Sequence, residues 1–224
     1  MNKNTISLDD STWLSADHHF GHTSIISYDR RPFQTLSEMH ASLIERHNDS
    51  VPARGSSVVF LGDLIHSKGD NPVDLAELTR SLHGERKILL MGNHDRFSIG
   101  KYQRVFDKVI PEGVPVDIRW NSRNATLVHS PLGIFKSLIP EMDDRPGGYG
   151  LAALTVEIDR TQIQGSWFCG HVHTIFRKIG PVVNVGVDAW DYSPVNISKV
   201  FQLLDDPAFV IEGRKGFKGF FPDE

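Results

Sequence analysis

Five short apolar runs in this chain each end abruptly in carboxylate, amide or imidazole. Trp13-Leu14-Ser15-Ala16 is followed by Asp17-His18-His19, and Val58-Val59-Phe60-Leu61 by Gly62-Asp63. Ile88-Leu89-Leu90-Met91 runs into Gly92-Asn93-His94-Asp95. Thr126-Leu127-Val128 meets His129, and Trp167-Phe168-Cys169 meets Gly170-His171-Val172-His173. Burying an amide without a partner costs roughly 2–7 kcal/mol, and an ionised carboxylate far more. Gly, Asn and Asp are also turn formers, so any one of these junctions could be a simple chain reversal. Their repetition argues instead for a shared site built on the rigid ends of strands.

The runs alternate with segments of helical pattern. Leu36 to Asn48 carries apolar residues at Leu36, Met39, Leu43 and Ile44, near the helical period. A second helix is expected to start at Pro72 and run to about Leu82, before Gly84. Strands are expected at 12–16, 57–61, 87–91, 166–169 and 182–185. A further pair, 114–120 and 125–128, would be joined by Asn121-Ser122-Arg123-Asn124. Ile197 to Leu204 reads equally as helix or strand. Early alternation of strand and helix, then mostly strands, predicts one layered α/β domain over residues 1–224. The segment Pro140 to Gly150 is rich in Pro, Gly and charge and reads as an exposed loop. It is the centre of a candidate lid or substrate loop at about 133–165.

At 224 residues the chain is long enough for a substantial core. A formal net charge of −4 argues against a broad footprint on duplex nucleic acid, though not against a nucleotide held by local arginines and metal. The single cysteine, Cys169, cannot form an intramolecular disulfide, which fits a reducing compartment. The N-terminal residues lack an apolar signal region, and no apolar run approaches membrane-spanning length. A cytoplasmic protein without a membrane partner is expected; the oligomeric state is not legible. Histidine is the compositional outlier, with eleven residues.

Ligands of α/β sheets bind outside the carboxyl ends of strands. If the five ends lie side by side, Asp17, His19, Asp63, Asn93, His129, His171 and His173 converge. Imidazole with carboxylate suits first-row metals such as Mn, Fe, Zn, Ni or Co. Seven donors exceed one tetrahedral site but fit two ions sharing a carboxylate, and Asp63 is the natural bridge. The D-x-H and H-x-H spacings are explained if both segments are extended, since residues i and i+2 then point the same way. Among the pieces, GNHD is the most specific: at average usage it arises by chance in about one chain of this length in a thousand.

"ADHHFGH", "FLGDL", "LMGNHD", "LVHSP" and "CGHVH" resemble, in order, the motifs of the calcineurin-like metallophosphoesterase superfamily, over about residues 12 to 190. "ADHHFGHTSII", "RRPF" and "NVGVDAWDYSPV" are similar, more narrowly, to small bacterial and phage phosphoesterases. The resemblance implies a four-layer α/β/β/α sandwich of two mixed sheets with a dinuclear centre at its rim. It implies that Asp17, His19 and His173 hold one divalent ion, that Asn93, His129 and His171 hold the other, and that Asp63 bridges. Manganese is the expected metal. His94 becomes the catalytic histidine at the leaving-group oxygen, with Asp95 either orienting it or bracing its loop.

The expected reaction is phosphoester hydrolysis. A hydroxide bridging the two ions attacks phosphorus, and the ions offset the developing charge. One departure from the superfamily pattern is at His66. Protein phosphatases carry there an aspartate that pairs with the catalytic histidine, so the partner of His94 is open. His66 either faces substrate or is a loop residue. His22, Arg30 and Arg31 are candidate phosphate contacts, since a guanidinium matches phosphate oxygens bidentately. Trp190 and Tyr192 could stack on an aromatic leaving group, with core packing the stronger expectation. A small phosphorylated substrate, nucleotide-derived among the options, is expected, with diesters favoured over monoesters and nucleotide pyrophosphates. The main rival is a non-catalytic scaffold on the same fold, and the presence of His94 with all seven donors speaks against it.

Overall fold

Strands β2 (Thr12–Ser15), β3 (Ser57–Phe60), β4 (Arg86–Leu90) and β5 (Lys108–Ile110) run parallel, side by side in that order. The computed structural model that contains them describes residues 5–66, 71–131, 164–208 and 210–212. The short strand β11 (Val195–Asn196) closes this five-stranded sheet antiparallel to β2. A second, seven-stranded sheet contains β1 (Ile6–Leu8), β6 (Val116–Trp120), β7 (Arg123–Leu127), β8 (Trp167–Cys169), β10 (Val182–Asn184), β9 (Phe176–Ile179) and β12 (Val210–Glu212), in that spatial order. It too is mixed: β7, β8 and β10 are parallel, whereas β6–β7, β10–β9 and β9–β12 pair antiparallel.

The apolar runs are continuous because the five-stranded sheet is covered on both faces. Successive residues of a strand point to opposite sides. In β3, Val59 faces the second sheet and packs in one core with Leu14, Ile88, Ile118, Leu127, Phe168 and Val183. Val58 and Phe60 face the other way, into a core shared with helix residues Met39, Leu43, Leu75 and Tyr102. Those helices are α1 (Ile25–Tyr28), α2 (Leu36–Ser50), α3 (Leu75–Ser81) and α4 (Ile99–Tyr102). Helix, sheet and sheet thus make three layers of the described residues. A helical layer on the outer face of the seven-stranded sheet is not among them.

Local chemistry sets the element ends. Thr35 caps α2, its hydroxyl accepting from the Glu38 amide (3.1 Å), while the Glu38 carboxylate accepts from the Gln34 amide (2.7 Å). The second long helix does not begin at Pro72. Asp74 is its cap, with one carboxylate oxygen accepting from the amides of Ala76 (2.8 Å) and Glu77 (2.9 Å). That satisfies two otherwise orphaned donors, which a proline two residues earlier cannot do. The ambiguous segment is helix α5 (Ile197–Asp205), started by Asn196, whose side chain accepts from the Ser198 amide. The hairpin β6–β7 turns on Asn121 and Ser122 alone; Arg123 and Asn124 belong to the returning strand. The candidate lid loop falls outside the described residues except for its last two positions, Gln164 and Gly165. No helix among the described residues is long and apolar enough to cross a membrane.

Candidate metal centre

The parallel register aligns Ser15 with Phe60 and Phe60 with Leu89, so the loops after β2, β3 and β4 leave the sheet at one level. Backbone bonds tie them together. The Asp17 amide donates to the Gly62 carbonyl (3.0 Å) and the His19 amide to the Asp63 carbonyl (2.9 Å). Gly170 N–H to the His129 carbonyl (3.0 Å) ties two loops of the second sheet, which joins the same rim through Val187 N–H to the Ala16 carbonyl (3.0 Å) and His171 N–H to the Asp17 carboxylate (2.9 Å). Both sheets therefore deliver their polar strand ends to one place.

Four donor sets result among the described residues, each with ligand atoms within 4.8 Å of one another: Asp17, His19 and His173; Asp63, His129 and His171; His19, Asp63 and His94; and Asp29, His173 and Asp188. Asp63 sits between the first two, with a carboxylate oxygen 3.6 Å from His19 Nε2 and 3.3 Å from His129 Nε2. Asn93 Oδ1 lies 3.0 Å from His129 Nε2 and 3.1 Å from His171 Nδ1. The seven donors singled out in the sequence are thus one cluster. Its fit to cations is visible in His19 Nε2, which is buried with no hydrogen-bond partner among the described residues. Native proteins rarely leave such an atom orphaned without a functional reason.

The convergence does not come from extended segments. Asp17 (φ 59°), His19 (55°), Asp63 (52°), His171 (71°) and His173 (46°) all occupy the left-handed region. Non-glycine residues there carry of order 1–3 kcal/mol of strain each, which persists only where the surroundings enforce it. The D-x-H and H-x-H pairs meet their partners through these tight left-handed turns, with the residue between them directed elsewhere. His18 is buried beside Phe20 and Phe60, and its Nε2 lies 3.2 Å from the Ser15 hydroxyl.

Glycine makes room for the cluster. A Cβ on Gly62 would collide with His129 Nδ1, and one on Gly92 would collide with the Asp63 carboxylate. Gly92→Ala is therefore expected to weaken divalent-metal binding at least about 10-fold by displacing Asp63. Metal titration of the folded variant checks this, and unchanged affinity would contradict the bridging position assigned to Asp63.

Hydrogen bonds on the far ring atoms orient the imidazoles. His129 Nδ1–H donates to the Leu61 carbonyl (2.7 Å), leaving Nε2 toward Asp63 and Asn93. His173 Nδ1 lies 2.8 Å from Asp188 Oδ2 and 3.1 Å from Asp29 Oδ2, leaving Nε2 toward Asp17 and His19. Such carboxylate–histidine pairs fix the tautomer of a metal ligand. Burial alone would depress both imidazoles, but the carboxylates prevail: Asp63 raises His129 to about 9, and Asp29 with Asp188 raises His173 to about 10. Asp17, fully buried, is pushed up to about 6 by desolvation, partly offset by His173 and His129. Burial likewise opposes ionisation of Asp63, yet His129 and the His94 amide hold it down at about 2.

Asp188, Asp29 and Asn184 were not singled out in the sequence. Asn184 donates to the carbonyls of His173 (2.8 Å) and Phe176 (2.9 Å) and accepts from the Gly186 amide (2.8 Å). The signal in the sequence is that Asp188 follows the valine-rich stretch Val182-Val183-Asn184-Val185-Gly186-Val187, which ends in a carboxylate like the other strand ends.

Arg31 requires a correction. It does not face a substrate phosphate. Its guanidinium is buried in a bidentate pair with Asp188 (2.9 and 2.7 Å) and donates to the carbonyls of His18 (2.8 Å) and Asp17 (2.6 Å). Every strong donor direction is taken by the protein, so Arg31 braces two ligand loops. Arg30 is exposed, with a left-handed backbone. His22 lies beside the cluster, its Nδ1 3.4 Å from His19 Nδ1 and its ring stacked on His66 at 4.1 Å. His94 places its ring 5.0 Å from His19 and 5.2 Å from His66, while its amide donates to Asp63 Oδ1 (2.8 Å). The Asp95 carboxylate accepts from the amides of Asp63 (2.7 Å), Gly92 (2.9 Å) and Ile65 (3.2 Å), tying the β3 and β4 loops together. Tyr192 packs in the core against Phe33, and Trp190 donates to the Asn184 carbonyl.

The architecture is two mixed sheets whose strand ends gather this donor set, as the resemblance to calcineurin-like phosphoesterases implies. No family model matches the chain. It is 30% identical over 196 residues to Uncharacterized protein MJ1445 of Methanocaldococcus jannaschii, covering 86% of this chain and 90% of that protein. Among solved structures it is similar to the protein of unknown function AQ665 from Aquifex aeolicus, with a TM-score of 0.57 and 20% identity, over 86% of this chain and 98% of that one. A looser likeness, TM-score 0.41 and 18% identity over 78% of this chain and 67% of the other, is to Pseudomonas putida nuclease MPE, and it carries no weight for function. The chain belongs to the family of MJ1445.

Proposed function

We propose that this protein is a metal-dependent phosphohydrolase that holds two divalent cations and cleaves phosphodiesters. The observation that carries the reading is the pair of donor triads joined through Asp63, with the His94 ring on the same rim. Asp17, His19 and His173 would hold one ion, Asn93, His129 and His171 the other, with Asp63 shared. Manganese is favoured, and the same donors suit Fe, Zn, Ni or Co. When bound, such a pair supplies Lewis-acid polarisation of the phosphoryl group and a nucleophile at neutral pH.

The chain's own residues do the rest. His94 stands within the cluster beyond the seven donors of the two sets, and its imidazole is assigned delivery of a proton to the leaving oxygen. Asp95 acts as a positioning residue, since its oxygens are engaged by three backbone amides. His22 and His66 flank His94 on the substrate side.

The test is to strip the protein of metal, reload it with Mn²⁺ and offer bis(4-nitrophenyl) phosphate and 4-nitrophenyl phosphate in parallel. Diester turnover that depends on added metal is expected. A preference for the monoester would move the assignment to a phosphomonoesterase. Silence on both substrates, with both ions bound, would favour a scaffold.

A further inference from the structure

Tyr28 is the most exposed large apolar side chain among the described residues, 73% accessible. It contributes nothing to either core, and its short helix α1 is anchored instead by the buried Ile25. Yet its place is not arbitrary. The Tyr28 ring meets His22 edge-on at 6.1 Å, and His22 in turn lies 5.4 Å, ring to ring, from His19. A row of aromatic rings thus leads from a metal-site histidine out to solvent, with His66 stacked on His22 alongside.

The backbone that carries Tyr28 is held on its C-terminal side. Asp29 reaches His173 at 3.1 Å, and Arg31 is clamped by Asp188 and by the carbonyls of Asp17 and His18. The exposed ring is therefore fixed relative to the metal centre by residues that belong to that centre. Tyrosine offers a large flat face with only two side-chain torsions to immobilise. This face stands two ring-to-ring steps, 5.4 and 6.1 Å, from the metal-site residue His19.

We infer that Tyr28 is a stacking platform for the planar base of a nucleoside phosphoester, making it a specificity-determining residue of the site. This rests on the phosphohydrolase reading above, because it takes the phosphate to be held at the metal centre. Stacking of a base on an aromatic side chain is worth about 1–3 kcal/mol by alanine substitution, which is at least about 5-fold in affinity.

The experiment is calorimetric titration of Mn²⁺-loaded His94→Ala protein with adenosine 5′-monophosphate and with ribose 5-phosphate. The two ligands share the phosphate and the sugar and differ in the base. Adenosine monophosphate is expected to bind at least about 5-fold more tightly. Adding Tyr28→Ala should erase that ratio and leave ribose 5-phosphate binding unchanged, whereas Tyr28→Phe should preserve it. Equal binding of the two ligands, or a ratio that survives Tyr28→Ala, overturns the platform while leaving the phosphate site standing. If neither ligand binds the loaded protein, the platform is overturned, and diester turnover decides the phosphohydrolase reading separately.

Discussion

Arg31→Met is expected to lower the unfolding free energy by about 3–5 kcal/mol, the usual consequence of removing one partner from a buried ion pair. Both side chains of the Arg31–Asp188 pair are 0% exposed, so no water replaces the guanidinium. Burial pushes the Asp188 carboxyl up, but Arg31, with His173, holds it well below the usual carboxylate range. Without Arg31, Asp188 keeps only His173 as a charged hydrogen-bond partner, and the carbonyls of Asp17 and His18 lose their donors. Urea denaturation of metal-stripped protein measures this; a bound cation would add stability by mass action and mask the change. Arg31→Lys should recover only part of the loss, because an ammonium cannot reproduce the two-pronged contact. A cost under about 1 kcal/mol for Arg31→Met would mean that the pair is not a structural brace, since that is the range of an exposed ion pair.

The second large effect concerns His94. His94→Ala is expected to reduce turnover by about 10²- to 10⁴-fold, the range for loss of a general acid. The substitution keeps the backbone, and with it the amide bond to Asp63 Oδ1 that helps hold the bridging carboxylate. Metal content by elemental analysis should therefore be unchanged. A proton donor matters most when the leaving oxygen is basic, so alkyl diesters should suffer more than 4-nitrophenyl diesters. Loss of metal in the variant would make His94 a ligand, in line with its nearness to His19 and Asp63. An equal loss on both leaving groups would remove the proton-donor role.

Much of the scaffold was legible from local pattern. The runs at 57–61 and 87–91 read as buried strands because β3 and β4 have helices on one face and a sheet on the other. Leu36 to Asn48 read as a helix because its apolar residues recur at the helical period. The boundary at Pro72 was misread because the pattern carries no measure of which residue caps best; Asp74 supplies two hydrogen bonds there. Ile197 to Leu204 was undecidable locally: its apolar residues suit both periods, and the Asn196 cap with packing beside the sheets decides for helix.

The donor inventory was open to reading in one dimension, since a polar group at the end of an apolar run is conspicuous wherever the chain goes next. How the donors meet was not. Asp17 and His173 are 156 positions apart, yet they share a site because the β2 and β8 loops leave two different sheets at one rim. That meeting depends on long-range register, and it also sets the left-handed backbone at Asp17, His19, His171 and His173, which spacing had suggested to be extended, and at Asp63. Arg31 shows the same limit most plainly. Its chemistry suits a phosphate and a carboxylate equally well, and the fold brings Asp188, 157 residues away, into its two-pronged grip. Residue type thus selects the class of partner, and the packing of distant segments selects the partner.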